Sequence, residues 1–275
     1  STVSQATINI ETIGIGTAAV ISTHNLASSA LEINVSGQGG GQQNMYQIIY
    51  SPDRDIDIEM DMYGGAGFST PSYAGGQGGY ARIRFTLKQN EEYTLSGLIG
   101  TVNAPYLYHK SSLIACCGGG GNAGNSGDGG DGGGLNVAGE SGQGNGKSGG
   151  RVFNPSTQIN YPGWKTNFSV RAMTKCGQDA RNAAIVSCTF ENSAVDNQNN
   201  GGWSDNNGGG GGSGLEGGHG GRSSSEGGCG GSGWASSAVT ILSTSLGGGG
   251  QDHNGSVRIR PVSYTHLTLP TTPYV

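Results

Sequence analysis

The sequence is poor in the residues that build an apolar core or carry charge. Hydrophobic residues make up 33% of the 275-residue chain, and charged residues only 12%. Globular domains have roughly 45–50% apolar residues, a count that includes glycine, so the sequence argues against a large apolar core. The formal net charge is −5 and no basic run occurs, which argues against nucleic-acid binding through phosphate contacts.

Long apolar runs and close cysteine pairs are also missing. No stretch approaches the roughly 18 consecutive apolar residues of a membrane-spanning helix, and the start of the chain does not look like a secretion signal. Five cysteines occur, at positions 116, 117, 176, 188 and 229, without a CxxC pair. We expect buried free thiols, with a bridge between Cys176 and Cys188 as the alternative.

Catalytic and metal-binding patterns are absent as well. The glycine strings match nucleotide-binding motifs only by chance, and Gly146-Lys147-Ser148 lacks the preceding glycine of a P-loop. Asp128 and Asp131 lack the apolar anchors of calcium-binding repeats and are expected to decorate the surface. The histidines show no zinc-ligand spacing. The sequence therefore predicts no catalytic, cofactor-binding or metal-binding residue, and a protein that is not an enzyme.

Glycine is what the chain has in excess, with 56 residues. In the tract Gly118–Gly134 and in a second tract near residues 208–233, glycine recurs at every third position. Period three is the repeat of a polyproline-II-type helix, which makes no internal hydrogen bonds and must bond to neighbouring chains. Neither tract contains proline, which argues against a collagen triple helix. We predict a bundle of polyglycine-II helices, with a flexible linker as the alternative. The predicted lattice glycines are Gly118, Gly121, Gly124, Gly127, Gly130, Gly133, Gly208, Gly211, Gly214, Gly217 and Gly220, and Gly227, Gly230 and Gly233 form a further file.

Short alternating segments between the tracts predict β-strands. In residues 55–63, Ile56, Ile58, Met60 and Met62 alternate with four acidic residues. Arg82 and Arg84 alternate similarly in residues 81–87, so cross-strand ion pairing or a solvated face is the favoured interpretation of the acids. Further strands are expected at 6–10, 13–21, 31–35, 93–100, 168–173, 183–190, 237–246 and 256–260. The predicted fold is all-β, with short antiparallel strands framing a bundle of polyglycine-II helices and little or no α-helix.

Changes in composition suggest three regions. Residues 1–41 are interpreted as the end of a preceding small β module, and residues 42–261 as the glycine-rich domain. Residues 262–275 resemble a translated sequencing adapter and are expected not to belong to the native fold. The chain also begins at Ser1 without a methionine, so we expect a fragment.

Aromatic residues among small polar ones are typical of adaptable binding loops. Tyr106, Tyr108 and Trp203 are therefore candidate receptor-contact residues, and the alternative is that such rings cap the ends of the bundle. Capping is favoured for Trp164 and Trp234. We expect Trp203→Ala to leave folding intact and to reduce surface binding.

The order of these segments resembles a known family. An apolar strand ending in GGAG is followed by GGQGGYA, YTLSGLIG and LIACCGGGGNAG, and the pattern closes with GSVRIR. From about Met45 to Arg260 this order resembles the glycine-rich domains of bacteriophage tail fibres and tail-tip adhesins. The long interval of ordinary composition at 151–200 departs from that family.

The resemblance implies a non-enzymatic distal tail-fibre domain, located in the virion, that attaches to a host cell surface. Its partners would be a host surface glycan or an outer-membrane protein, together with copies of itself in a trimer or another fibre subunit. It implies neither nucleic-acid binding nor membrane insertion. A similar module in some animal receptor tyrosine kinases makes an extracellular role, as a secreted or cell-surface structural protein, the alternative. An ice-binding protein is a weaker hypothesis, because the side chains in the tracts are irregular.

Overall fold

Strands, and no α-helix, form the described part of the protein. The computed structural model describes residues 6–14, 20–26, 30–35, 45–96, 104–110, 112–152, 204, 206–250 and 253–262. The strands are β1 (Ala6–Gly14), β2 (Val20–Leu26), β3 (Leu31–Val35), β4 (Met45–Tyr50), β5 (Ile56–Tyr63), β6 (Gly79–Leu87), β7 (Tyr93–Ser96), β8 (Tyr106–His109), β9 (Ser112–Cys116), β10 (Trp234–Ala235), β11 (Thr240–Gly248) and β12 (Gly255–Pro261). No helix in these ranges could span a membrane. The predicted all-β fold is confirmed.

The strands form two antiparallel sheets. One has seven strands in the order β10-β9-β8-β7-β4-β1-β2, and the other has five in the order β11-β6-β5-β12-β3. Their apolar faces share one core, in which Ile8 and Leu95 of the first sheet cluster with Met60 and Ile83 of the second. The alternation predicted for β5 is confirmed, because Ile56, Ile58, Met60 and Met62 are all buried.

The predicted boundary at residue 41 does not separate two structural units. β1 pairs with β4 in the first sheet, and β3 pairs with β12 in the second. Ile8, Ile10 and Ile33 also belong to the shared core. A half-apolar strand needs both a hydrogen-bonding neighbour and a covered face, and the strands before residue 41 find both in the strands that follow.

Two strand predictions need correction. The segment 13–21 was expected to be one strand, but β1 ends at Gly14 and β2 begins at Val20, and the two strands pair with Thr12 opposite Val20. Glycines at 14 and 16 interrupt that segment, which is where a strand is weakest. β4, β8 and β10 were not predicted as strands. The predicted strands at 168–173 and 183–190 lie outside the described residues.

The glycine-rich segments form extended helices that bond laterally. Eight of them can be traced from their hydrogen bonds: pg1 (64–68), pg2 (74–79), pg3 (118–125), pg4 (127–134), pg5 (137–143), pg6 (207–213), pg7 (216–221) and pg8 (226–233). The lateral N–H···O=C bonds recur at every third residue and measure 2.7–3.2 Å. This is the bonding of a polyglycine-II lattice, since each residue of a three-fold helix faces a different neighbour.

Strands run directly into these helices. pg1 continues β5 and pg2 leads into β6, while pg3 follows β9 and pg8 leads into β10. The two sheets therefore hold one end of the lattice in register. This anchorage offsets the large loss of chain entropy that glycine suffers on ordering.

Candidate functional site

The centre of the lattice is pg3. Every third residue of this helix faces the same side, and the three sides bond to three different helices. Gly118, Gly121 and Gly124 donate to pg4. Every third residue from Gly119 donates to pg6, and every third residue from Gly120 donates to pg1. Amide groups of pg2 and pg8 in turn donate to carbonyl oxygens of pg3. The backbone polar groups of a buried helix without internal hydrogen bonds are satisfied in this way.

The helix pg8 is surrounded in a similar way. It donates to pg5 through Gly227, Gly230 and Gly233, the third predicted set of glycines spaced by three. Amides of pg4 and pg6 donate to pg8, and pg8 also donates to pg3 and pg7. The two tracts therefore share one lattice, with pg3 and pg8 side by side.

The predicted rows of glycines do not form continuous helices. The chain of the first tract turns back at Asn125 and Ser126. Its first half therefore bonds to its second half, through the glycine pairs 118–133, 121–130 and 124–127. The second bends at 214–216, which places Gly208 and Gly211 in pg6 and Gly217 and Gly220 in pg7, with Gly214 at the bend. Folding a tract back on itself puts antiparallel helices side by side, which a single long helix could not achieve.

Close backbone approach is the reason that glycine is required here. A Cβ atom at Gly121 would fall on the carbonyl group of Gly228 in pg8, and one at Gly130 would fall on that of Glu140 in pg5, in each case closer than the 3.0 Å that real Cβ atoms respect. Neither glycine has a positive φ. The restriction at these positions is therefore steric and does not come from the backbone conformation.

Polar side chains complete the lattice at its sides. Asn122 Oδ1 accepts the N–H of Phe68 (2.9 Å), and the Oδ1 atoms of Asp128 and Asp131 accept those of Ala74 (2.8 Å) and Gln77 (2.7 Å). Asp128 and Asp131 were expected only to decorate the surface. They also strengthen the contact between pg4 and pg2, in which Gly129 and Gly132 donate to the carbonyl oxygens of Ala74 and Gln77. Within the described part of the chain, no cluster of three or more His, Cys, Asp or Glu residues could hold a metal ion.

The turns at the end of the lattice remote from the sheets form one surface, which we call the distal face. It consists of residues 68–73, 125–126, 144–148, 206–207 and 222–225. Neighbouring turns touch, since Asn125 N–H donates to Asn207 O (3.2 Å) and Ser126 N–H donates to Ser224 O (2.8 Å). Asn206 and Asn207 have φ values of 47° and 62°, a conformation that asparagine tolerates well.

Most of the distal face is exposed and polar, and sequence reasoning missed it. Exposed positions include Asn125, Ser126, Lys147, Arg222 and Ser224. The sequence did contain a signal for these turns. Each series of glycines is interrupted there by serine, by asparagine or by a segment that contains proline. Such interruptions mark turns, and turns at one end of a bundle converge.

The expectation that Tyr106 and Tyr108 are exposed is wrong. Both lie in β8, 0% and 1% exposed, in a second apolar cluster that includes Leu215. Tyr106 Oη donates to Gly214 O at 2.6 Å, which joins the sheet to the bend between pg6 and pg7. Burial raises the pKa of both hydroxyls well above the ordinary value. These residues fix the lattice and are not available to a receptor.

The tryptophans and cysteines are only partly described. Trp203 and Trp164 lie outside the described residues, whereas Trp234 packs half-buried against the cluster around Tyr106, as the capping prediction requires. Cys116, Cys117 and Cys229 are free and buried, and burial raises the pKa of Cys116 to about 12. Cys176 and Cys188 lie outside the described ranges.

The acidic face of β5 makes the predicted cross-strand ion pairs, and the hydroxyl groups of Tyr80 and Thr86 bond to it as well. Asp61 is only 3% exposed at its side chain and accepts bonds from Arg82 Nε (2.7 Å), Arg260 Nη1 (3.0 Å) and Tyr80 Oη (2.8 Å). Glu59 pairs with Arg84 (2.7 Å) and also with Arg260. Strand register causes this arrangement, because β5 lies between β6 and β12, with Arg82 opposite Asp61 and Arg260 opposite Glu59.

These pairs change the titration of the carboxyl groups. Burial alone would raise the pKa of Asp61, but the hydrogen bonds from Arg82 and Tyr80 and the charge of Arg260 lower it below its ordinary value. The pKa of Glu59 is lowered first by the hydrogen bond from Arg84. In the lattice, burial and the charge of Glu140 raise the pKa of Asp131.

We expect the protein to lose stability as the pH falls below about 4. The folded-state pKa values of Asp61 and Glu59 lie below their unfolded values. Their stabilising contribution is therefore present above the unfolded pKa and is lost as the pH falls through the folded one. Asp131 acts in the opposite sense, because its raised pKa favours protonation in the folded chain. Thermal unfolding at about pH 6 and about pH 3 tests this expectation, and a melting temperature that does not fall would contradict it.

Comparison with known proteins adds no family to this description. No family model and no curated protein sequence matches the chain.

Proposed function

We propose that the chain is a non-enzymatic attachment domain of a virion tail fibre, which binds a host cell surface through the distal face. The observation that carries the proposal is the convergence of five turns at one end of the lattice. A receptor-binding surface gains affinity when its loops are ordered before contact, because less entropy is lost on binding. Here the hydrogen bonds between neighbouring turns supply that order.

The composition of the distal face supports the same proposal. The hydroxyl groups of serine and the amide groups of asparagine provide adaptable hydrogen bonds, as they do in antibody loops. The turn 144–148 also tolerates a side chain at its centre, since a Cβ at Gly146 would meet no atom within 4 Å. A partner on the host cell, glycan or outer-membrane protein, fits such a surface. Self-association in a trimer, or with another fibre subunit, would use other surfaces.

Binding to whole bacteria tests the proposal. The fluorescently labelled protein is applied to a panel of bacterial strains and counted by flow cytometry. We expect binding to some strains, and a loss of roughly tenfold or more in Ser224→Trp, because a bulky ring on the distal face blocks contact. Ser224 is exposed, so folding should be unaffected.

The matched control is Ser237→Trp, at an exposed turn residue next to the sheets. It introduces the same ring away from the distal face and should bind as the unchanged protein does. Equal losses in both variants, or no binding to any strain, would count against the proposal. Binding to animal cells or extracellular matrix alone would favour the secreted or cell-surface role.

A further inference from the structure

One residue of the distal face is neither small nor polar. Phe68 is 46% exposed although it is a large apolar side chain. Its ring stacks on the imidazole of His253, with centroids 3.7 Å apart and planes at 27°. The ring therefore remains open to solvent on the side away from His253.

The surroundings hold this ring in place. Phe68 N–H donates to Asn122 Oδ1 (2.9 Å), and Phe68 O accepts the N–H of Ala123 (2.8 Å). His253 is itself fixed, since its Nδ1 lies 2.8 Å from Ala66 O. An exposed ring that is immobilised through its backbone and through its stacking partner can bind a flat apolar surface with little further loss of entropy.

The neighbouring residues offer hydrogen bonds without charge. Residues 69–73 are Ser-Thr-Pro-Ser-Tyr and include no acidic or basic residue. Asn122 uses its Oδ1 for Phe68, and among the described residues no bond of its Nδ2 is found, so that group remains a donor beside the ring. Asp128 is the carboxylate that bonds to this loop. It accepts the N–H of Ala74 and therefore lies at the end of the loop away from Phe68.

We propose that Phe68 is the stacking platform of a binding site for a neutral saccharide. The C–H face of a pyranose ring is weakly positive and fits the negative face of an aromatic ring. Its hydroxyl groups fit the hydroxyl groups of Ser69 and Ser72 and the side-chain amide of Asn122, whereas the Thr70 hydroxyl is bonded to Tyr73 within the loop. The absence of charge in 69–73 favours a neutral sugar over an acidic one. This inference rests on the proposed attachment function and names the class of its receptor.

Saccharide binding by variants of the full chain tests the site. The probes are immobilised mannan, galactan and dextran, with polygalacturonate as the acidic comparison. We expect binding to at least one neutral polysaccharide, a loss of about tenfold or more in Phe68→Ala, and retention in Phe68→Tyr, which keeps the ring. The control is Leu242→Ala on β11, where the residue is 41% exposed, and it should bind normally.

Treatment of bound bacterial strains separates this inference from the attachment function. Periodate destroys sugar diols, whereas protease removes surface proteins. Binding that survives protease and is lost after periodate supports the saccharide site. Binding that survives periodate and is lost after protease overturns it and leaves the attachment function standing. Equal binding of Phe68→Ala and the unchanged protein to the neutral polysaccharide, or preference for polygalacturonate, also overturns it. Saccharide binding without binding to any bacterium supports the site and contradicts the attachment function.

Discussion

Replacing Gly121 by valine should prevent the protein from folding. A Cβ at Gly121 would overlap backbone atoms of Gly228 and Cys229 in pg8. Neither helix can move away, because pg3 and pg8 are each bonded to several other helices. We expect a loss of more than about 5 kcal/mol, beyond the usual range of single substitutions and comparable to the whole stability of a small domain. Circular dichroism and thermal melting of the purified variant measure the effect.

Gly146→Val is the matched control for this substitution. Gly146 lies in the turn 144–148, where an added Cβ meets no atom within 4 Å. Its melting temperature should remain close to that of the unchanged protein. Cooperative melting of Gly121→Val at the original temperature would show that the two helices are not in contact.

Replacing Asp61 by alanine should destabilise the fold by about 2–3 kcal/mol. Breaking a buried ion pair typically costs about 3–5 kcal/mol, and the partial exposure of the arginine partners reduces that figure. The variant leaves Arg82 without its 2.7 Å partner and removes one of the two carboxylates that bind Arg260. Arg260 Nη2 is already buried without a partner in the described structure, so the added cost of an unsatisfied cation is high. Chemical denaturation measures the free energy of unfolding.

Asp55→Ala provides the comparison on the same strand face. Asp55 and Lys88 form a 3.1 Å pair with side chains 52% and 53% exposed, and surface pairs of this kind contribute little to stability. Asp55 also accepts the N–H of Gln89 at 2.8 Å, an exposed bond, so we expect a loss of less than about 1 kcal/mol. A smaller effect at Asp61 than at Asp55 would contradict the burial and pairing described for β5.

The sequence was sufficient to predict the features that depend on periodicity. Period three in the tracts indicated the lattice glycines, and period two in β5 indicated which side chains face the core. Arg82 and Arg84 could be assigned as partners of the acids because β6 is the next strand after β5 in the chain and alternates in the same way. In each case the decisive information lies within one segment or two successive segments.

Features that depend on long-range packing could not be predicted. Tyr106 and Tyr108 stand among small polar residues in sequence, yet β8 lies between β7 and β9 and both rings are buried. The pairing of β3 with β12 joins segments more than 200 residues apart, which no local pattern indicates. The distal face likewise arises only when five separate turns converge. Composition alone would have placed Phe68 in a core.

Hydrogen exchange of the glycine amides tests the central claim, that the tracts form an ordered lattice. Gly118, Gly121, Gly130 and Gly231 each donate to another glycine helix at 2.7–2.9 Å. We expect their exchange to be slower than in an unstructured chain by a factor of about a hundred or more, an opening free energy of about 2.7 kcal/mol. Gly146, in an exposed turn, should exchange far faster. Exchange of all these amides at the rate of a free peptide would contradict the lattice and identify the tracts as flexible linkers.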